Sequence, residues 1–170
     1  NQFASYSESE NLEKRLETFD LAQIALEAAE LTKPFWYSSP ARTGLRIDLG
    51  TNTVPGCFVE GVKSQITEVL VNLIKNAVEA LTEGGKIEIE TYVESDWAVL
   101  KVRDTGSGIP DEMLDNLFNP FSTSNLGLGR GLGLATTLKI IQDHRGDISV
   151  ESVVGQGSAF TVRLPRKKGN

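Results

Sequence analysis

A long helical pattern followed at once by two strand patterns limits the folds open to this chain. From about Ser64 to Leu81 apolar residues recur at helical spacing, and Gly84-Gly85 ends the run. Two alternating or apolar runs, Lys86 to Val93 and Trp97 to Val102, follow around a short polar link that suits a hairpin. A helix with one apolar stripe and strands with one apolar face cover each other, which predicts a two-layer sandwich.

The other patterns complete this α/β (α+β) sandwich as a mixed, mostly antiparallel sheet covered by about three helices. Helical spacing recurs from Phe19 to about Lys33 and from about Leu132 to His144. Further strands are predicted at Thr43 to Leu49, Cys57 to Val59, Asp147 to Ser152 and Ser158 to Leu164. A chain of 170 residues can bury one sizeable core. We therefore expect one domain at residues 19–168, after a polar lead-in at residues 1–18 that suits the end of an upstream helix.

Composition excludes several classes of function. The net charge of -6 argues against broad binding to the phosphate backbone of nucleic acids. One cysteine and one histidine cannot build a disulfide or a Cys/His zinc site, so Cys57 is interpreted as a small buried hydrophobe. There is no apolar run of roughly 18 residues and no signal-peptide pattern. We expect a cytoplasmic domain without membrane contact of its own, which leaves open a membrane-anchored parent protein.

Two asparagines on the long helix are the first candidates for a binding site. Asn72 and Asn76 are four residues apart, so both leave the same side of the helix, at the margin of its apolar stripe. They suit bonds to loops or neighbouring backbone. The other interpretation is a hard cation such as Mg²⁺, already mostly neutralised by phosphates, which an amide oxygen can ligate.

A second candidate follows the strand that ends near Val102, in the stretch Asp104-Thr105-Gly106-Ser107-Gly108-Ile109-Pro110. A carboxylate at a strand end can accept a hydrogen bond from an exocyclic amine such as that of adenine. Gly106 and Gly108 allow a backbone approach that a Cβ would block. An ordinary turn with an Asx-type start and glycines at positive φ explains the pattern about as well.

The third candidate is Gly127-Leu128-Gly129-Arg130-Gly131-Leu132-Gly133-Leu134, directly before a predicted helix. Backbone N–H groups at a helix start form a natural phosphate site. The spacing is neither the dinucleotide fingerprint nor the P-loop. Because it lies in a long irregular stretch, residues 104–131, it predicts a phosphate lid rather than a hinge without function.

In this order the motifs resemble those of the GHKL ATPase superfamily (the Bergerat fold) and, within it, the catalytic domain of sensor histidine kinases. The resemblance extends from about Phe19 to Pro165. Five motifs carry it: an asparagine box at Asn72-Leu73-Ile74-Lys75-Asn76-Ala77, a first glycine box at Asp104 to Pro110, a phenylalanine box at Leu117-Phe118-Asn119-Pro120-Phe121, a second glycine box at Gly129 to Leu134, and a closing glycine turn at Gly155 to Phe160.

The resemblance implies that the chain binds Mg-ATP. Asn76 would hold Mg²⁺, with Asn72 on the phosphate side, and Asp104 would bind the adenine amine with support from Ser158. Phe118 and Phe121 would anchor the lid, although aromatics at this spacing also suit a plain core. The other residues expected to contact nucleotide are Gly106, Gly108 and Ile109 near the base, with Phe121, and Gly129, Arg130, Gly131, Leu132 and Gly133 over the phosphates.

Two departures from the superfamily pattern concern catalysis. Hydrolases of the superfamily typically carry a glutamate general base where this chain has Asn72, and an amide cannot take that proton at pH 7. The resemblance therefore implies phosphoryl transfer to a protein acceptor. Many relatives also have a lysine after the phenylalanine box, where this chain reads Ser122-Thr123-Ser124-Asn125. Arg130 is the candidate substitute, since a guanidinium binds phosphate bidentately, and an exposed lid arginine without function is the alternative.

The sole histidine does not match the family's phosphoacceptor. His144 lies near the C-terminal end of a predicted helix, a position that the helix dipole favours for histidine. The family's acceptor histidine lies on a two-helix hairpin, with an acidic residue next to it and a proline downstream, and nothing of that kind follows His144. The resemblance implies an acceptor on the protein's own dimerisation domain, upstream of Asn1, and a response regulator receiver domain as indirect partner. Two other functions stay open: nucleotide sensing without transfer, and a serine-directed protein kinase of the same superfamily.

Overall fold

The computed structural model of the chain describes residues 15–119 and 130–168, with side chains in the second range from residue 133 onward. In chain order its elements are β1 Glu17–Asp20, α1 Leu21–Leu31, a π-helical turn Pro34–Ser38, α2 Ser39–Arg42, β2 Ile47–Thr53, β3 Phe58–Gly61, α3 Lys63–Ala80, β4 Gly85–Glu94, β5 Trp97–Asp104, α4 Asp111–Leu114, α5 Arg130–Asp143, β6 Asp147–Val153 and β7 Gly157–Pro165.

Five strands form the main sheet, in the order β2-β4-β5-β7-β6. β2 and β4 run parallel, and the other three neighbouring pairs are antiparallel. β1 and β3 form a separate antiparallel pair. With α1, α3 and α5 as the long helices, the predicted mixed, mostly antiparallel sheet with about three helices is confirmed.

The core lies between one face of the main sheet and the helices. Along β7 every second residue is buried, from Ser158 to Leu164, as expected for a sheet covered on one face. The stripe of α3 that packs against it consists of Ile66, Val69, Leu70, Leu73, Ile74 and Ala77. Each large aliphatic side chain buried in this way stabilises the fold by roughly 1.5–3 kcal/mol. This packing fixes α3 along the sheet and so positions the asparagines on its margin.

Within the described ranges, no helix combines the length and the apolar character that a membrane crossing needs.

The first helix begins later than its apolar spacing predicts. Phe19 and Asp20 belong to β1, and α1 begins at Leu21 because Asp20 caps it: the carboxylate accepts a hydrogen bond from Ala22 N at 3.0 Å. The same carboxylate accepts bonds from the backbone of Gly56 and Cys57 at 2.9 and 3.2 Å. These contacts across the chain also bring Glu17 and Thr18, which sequence analysis placed in the lead-in, into a strand.

The strand predicted at Thr43 to Leu49 lies four residues further along, at Ile47–Thr53. The backbone N–H groups of Thr43 and Leu45 turn back to Pro40 O at 3.0 and 2.9 Å, so this part of the chain is a turn. Parallel pairing with β4, from Ile47 opposite Gly85 to Thr53 opposite Thr91, sets the ends of β2. Its own alternation does not reveal that register.

Candidate functional site

The helix α3 carries the predicted site residues on one side at successive turns. Asn72, Asn76 and Ala80 are spaced by four residues, so they follow one another along one side of the helix. At 1.5 Å of rise per residue, the levels of Asn72 and Ala80 are roughly 12 Å apart. We call the region along this side, bounded by Asn72, Asn76, Asp104 and Gly133, the α3 site.

The first glycine box packs against the end of α3. Ser107 N donates a hydrogen bond to Ala80 O at 3.1 Å. A Cβ on Gly106 would lie 2.5 Å from the same carbonyl oxygen, so only glycine fits at this position. These contacts hold the loop that follows β5 against the C-terminal end of α3, next to Ala80.

Asp104 is the last residue of β5 and is buried, with 5% of its surface exposed. Its Oδ1 accepts a hydrogen bond from Gly106 N at 2.9 Å, which orients the carboxylate and also begins the turn. Ser158, equally buried, lies directly opposite Asp104 in the neighbouring strand β7. The turn interpretation and the binding interpretation of this stretch are therefore compatible.

Two other glycines near Asp104 are required by contacts within the protein itself, without reference to a ligand. Gly108 has φ +76°, and a Cβ there would overlap Val153 O. Gly157 has φ +127°, and a Cβ there would overlap Asp104 O. Gly155 N also donates to Ser107 O at 2.9 Å. The first glycine box is thus packed against the β6–β7 turn as well as against the end of α3.

At the other end of the α3 site, Asn72 faces the helix α5. Its Nδ2 donates to Oγ1 of the fully buried Thr137 at 3.5 Å. A Cβ on Gly133 would lie 4.0 Å from Asn72 Cγ. The first half of α5, which begins at Arg130, is therefore adjacent to the asparagine box. The first backbone N–H groups of a helix have no partner within the helix and attract anions.

Asn76 lies between these two ends and is half-buried. Within the described part of the chain, its Nδ2 is the one buried side-chain nitrogen or oxygen atom without a hydrogen-bond partner. Leaving such a group unpaired costs about 1–3 kcal/mol. Because an amide can present either its nitrogen or its oxygen after a 180° flip, the position suits a donor to a phosphate oxygen or an oxygen ligand to a cation.

Part of the predicted lid lies outside the described part of the chain. Phe121 and Gly129 lie outside the described residues, and Arg130, Gly131 and Leu132 belong to α5 without described side chains. Before that gap, Leu117 is buried and the Phe118 ring meets the Phe160 ring edge to face, with centroids 6.5 Å apart. The beginning of the phenylalanine box is thus fixed to the core, as expected of a lid anchor or of a plain core contact.

Two residues considered in the sequence have structural roles. Cys57 is fully buried and its thiol donates to Val54 O at 3.1 Å; burial raises the pKa of this thiol. His144 has both ring nitrogens engaged: Val62 N donates to Nε2 at 3.0 Å, and Nδ1 lies 2.7 Å from Ile140 O. The ring is therefore the neutral form with its proton on Nδ1. It ties the end of α5 to the start of α3.

We call the contacts of His144 with Val62 N and Ile140 O the histidine clamp. We expect this clamp to require a glycine at position 61. A Cβ on Gly61 would overlap Cδ2 of His144, and the ring cannot move away because both nitrogens are held. G61A and H144A should each lower the free energy of unfolding by about 1–3 kcal/mol, through overpacking and through a lost hydrogen bond respectively.

In the double variant the alanine meets no ring, so its destabilisation should be smaller than the sum of the two, as urea unfolding can measure. G50A is the matched control, because Gly50 is exposed in β2 and nothing lies within 4 Å of an added Cβ. Strict additivity of G61A and H144A would contradict the clamp.

Residues 61–168, which contain α3, both glycine boxes and the closing turn, match the family model described as "Histidine kinase-, DNA gyrase B-, and HSP90-like ATPase". The chain belongs to this family. Within it the chain is an ATP-binding catalytic domain of the sensor histidine kinase type, as the motifs predicted.

Individual relatives agree with this assignment. Sporulation kinase C of Bacillus subtilis (strain 168) is 40% identical over 112 residues, which cover 66% of this chain and 26% of the relative. The circadian input-output histidine kinase CikA of Synechococcus elongatus is 36% identical over 168 residues, covering 87% of this chain and 22% of the relative. The chain thus spans about a quarter of the length of these two curated relatives.

A solved structure confirms the architecture. The catalytic domain of the histidine kinase ThkA superimposes with a TM-score of 0.76 at 30% identity, covering 89% of this chain and 96% of that domain. This kinase domain therefore has the two-layer sandwich expected from its sequence.

Sequence reasoning overlooked one polar residue close to the site. Ser152 lies at the end of a predicted strand, and its hydroxyl contacts both Ile109 N and Ser158 Oγ. Its position in the strand pattern was visible, but which residues face it depends on register and loop packing.

Proposed function

We propose that the chain binds Mg-ATP along the α3 site and transfers the γ-phosphate to a histidine on a dimerisation domain outside these 170 residues. The observation that carries the proposal is the buried amide nitrogen of Asn76, which has no hydrogen-bond partner among the described residues. It lies one helical turn from Asn72 and one from Ala80, between the loop of Asp104 and the start of α5.

Asp104 and its loop would hold the adenine. A buried carboxylate is an acceptor only, so it recognises the exocyclic amine of adenine and disfavours the carbonyl oxygen that guanine has there. Gly106 N already fixes one carboxylate oxygen, and Ser158 flanks the group from β7. Gly106, Gly108 and Ile109 supply backbone close to the base.

Asn76 would supply an amide oxygen to Mg²⁺. This ion prefers oxygen ligands and keeps waters and phosphate oxygens, so one or two protein groups suffice. When bound, it neutralises charge on the phosphates and polarises the transferred group. Asn72 would lie on the phosphate side, beside Gly133. Gly129, Arg130, Gly131 and Leu132 would cover the phosphates, Arg130 as the cation, with Phe121 in the lid.

The chemistry is an in-line displacement at the γ-phosphorus. A nitrogen of the acceptor imidazole forms a bond to phosphorus while the bond to the β–γ bridging oxygen breaks. ADP leaves with that electron pair, and the imidazole proton passes to solvent or to a base on the acceptor domain. Asn72 cannot activate a competing water as a carboxylate can, so transfer is favoured over hydrolysis. An aspartate on a response regulator receiver domain would then take the phosphate.

Labelling an acceptor domain tests the proposal. The chain is mixed with γ-labelled ATP, Mg²⁺ and the dimerisation domain encoded by the same gene. We expect acid-labile, alkali-stable label on that domain, none after chelation of Mg²⁺, and none when its histidine is replaced by glutamine. Incubated alone, the chain should stay unlabelled, because both ring nitrogens of His144 are occupied.

Two results would contradict the proposal and select an alternative. ATP binding without any labelled acceptor would indicate a nucleotide-sensing domain. Acid-stable label on a serine would indicate a serine-directed kinase.

A further inference from the structure

Three polar residues form one row across the sheet at the end of β5. Asp104 in β5 is the register partner of Ser158 in β7, and Ser158 is the partner of Ser152 in β6. Two residues further along, on the same face of the sheet, the row of Val102, Phe160 and Val150 is apolar. The three polar side chains therefore lie at the boundary between the core and the loop expected to hold the adenine.

The hydroxyl of Ser152 joins this row to the first glycine box. It accepts a hydrogen bond from Ile109 N at 2.7 Å, and its oxygen lies 2.8 Å from Ser158 Oγ and 3.1 Å from Gly157 O. A hydroxyl has one proton and two lone pairs. The bond from Ile109 takes a lone pair, so the single proton of Ser152 goes toward Ser158 or toward Gly157 O.

This contact holds the half of the loop that α3 does not reach. The first half is fixed by Ser107, which donates to Ala80 O and accepts from Gly155 N. Beyond it, Gly108 turns the chain at positive φ, and Ser152 receives the next N–H, that of Ile109. Without the hydroxyl, Ile109 N would lose its partner, and the second half of the loop would no longer be held to β6.

We propose that Ser152 is a positioning residue for the adenine end of the α3 site. It sets the backbone at Ile109 and, through Ser158, steadies the carboxylate of Asp104, without touching nucleotide itself. The inference rests on the proposed function, in which Asp104 recognises the base.

The test compares S152A with S152T and with the control S149A in the 170-residue chain. Threonine keeps the hydroxyl, and Ser149 is an exposed serine of the same strand, opposite Thr161. By calorimetry with Mg²⁺ present, S152A should weaken ATP binding about tenfold and GTP binding by much less, since the lost bond to the partly buried Ile109 N weakens only the base contact. S152T should restore affinity to within about threefold, and S149A should leave it unchanged.

Thermal unfolding of the nucleotide-free variants separates positioning from stability. If S152A lowers the melting temperature strongly, S152C, which keeps a weak acceptor in a similar volume, carries the same comparison. Unchanged ATP affinity in the alanine variant, or equal losses for ATP and GTP, would overturn the role of Ser152 alone. No ATP binding by the unmodified chain would overturn the proposed function and this inference with it.

Discussion

Replacement of Asn76 by alanine should weaken Mg-ATP binding without weakening the fold. A contact to a charged group contributes about 1.5–3 kcal/mol, which corresponds to a loss of roughly 10- to 100-fold in affinity. The Asn76 amide nitrogen is buried without a partner in the absence of nucleotide, so removing it should leave the free energy of unfolding unchanged or raise it by about 1 kcal/mol. Loss of binding together with retained or increased stability is the signature of a group kept for a ligand.

Calorimetry with and without Mg²⁺, together with urea unfolding of the nucleotide-free chain, measures both halves of this result. The matched control is S64A, because Ser64 is exposed near the start of the same helix, roughly 12 Å along its axis from Asn72 and further from Asn76. An N76A variant that binds Mg-ATP as the unmodified chain does would remove Asn76 from the site. A variant that loses binding because it unfolds would show that the amide has a structural partner after all.

Replacement of Asp104 by asparagine should remove the preference for adenine over guanine. Asparagine keeps an oxygen for Gly106 N, so the turn after β5 is retained. Its other group is now a donor, which repels the adenine amine and suits the guanine carbonyl. We expect ATP affinity to fall roughly 100-fold while GTP affinity stays level or rises, because a site left with a wrongly paired polar group discriminates strongly.

Competition between ATP and GTP for the D104N variant gives this ratio directly. D115N is the control, since Asp115 is an exposed carboxylate just after α4. D104A adds a second comparison, because it removes the bond to Gly106 N as well and should lose affinity for both nucleotides. An unchanged ratio in D104N would mean that the carboxylate serves the turn and not the base.

Local sequence patterns predicted the parts of the fold that depend on local chemistry. The stripe of α3 and the β4–β5 hairpin lie within two residues of their predicted positions, because periodic burial and a short polar turn determine them. The positions of Asn72, Asn76 and Asp104 on their elements also follow from spacing. What their side chains would bind came from the resemblance and stays a prediction to be tested.

Features that depend on contacts distant in sequence were not predicted. The capping of α1 by Asp20 is visible only when Gly56 and Cys57 come back to the same carboxylate. The extent of β2 depends on its parallel neighbour β4, and the importance of Ser152 on a loop from another part of the chain. Gly157 looked like a plain turn glycine until the carbonyl of Asp104 was found against it.

The strand order determines when the main sheet can be completed during synthesis of the chain. β7 follows the other described strands in chain order, yet it is not an edge strand but lies between β5 and β6. Until a ribosome has delivered residues 157–165, the emerging chain exposes the unpaired side of β5, and Asp104 has no Ser158 opposite it. Premature termination anywhere before this strand should therefore yield a product that is prone to aggregate and unable to take up nucleotide, rather than a weakened kinase.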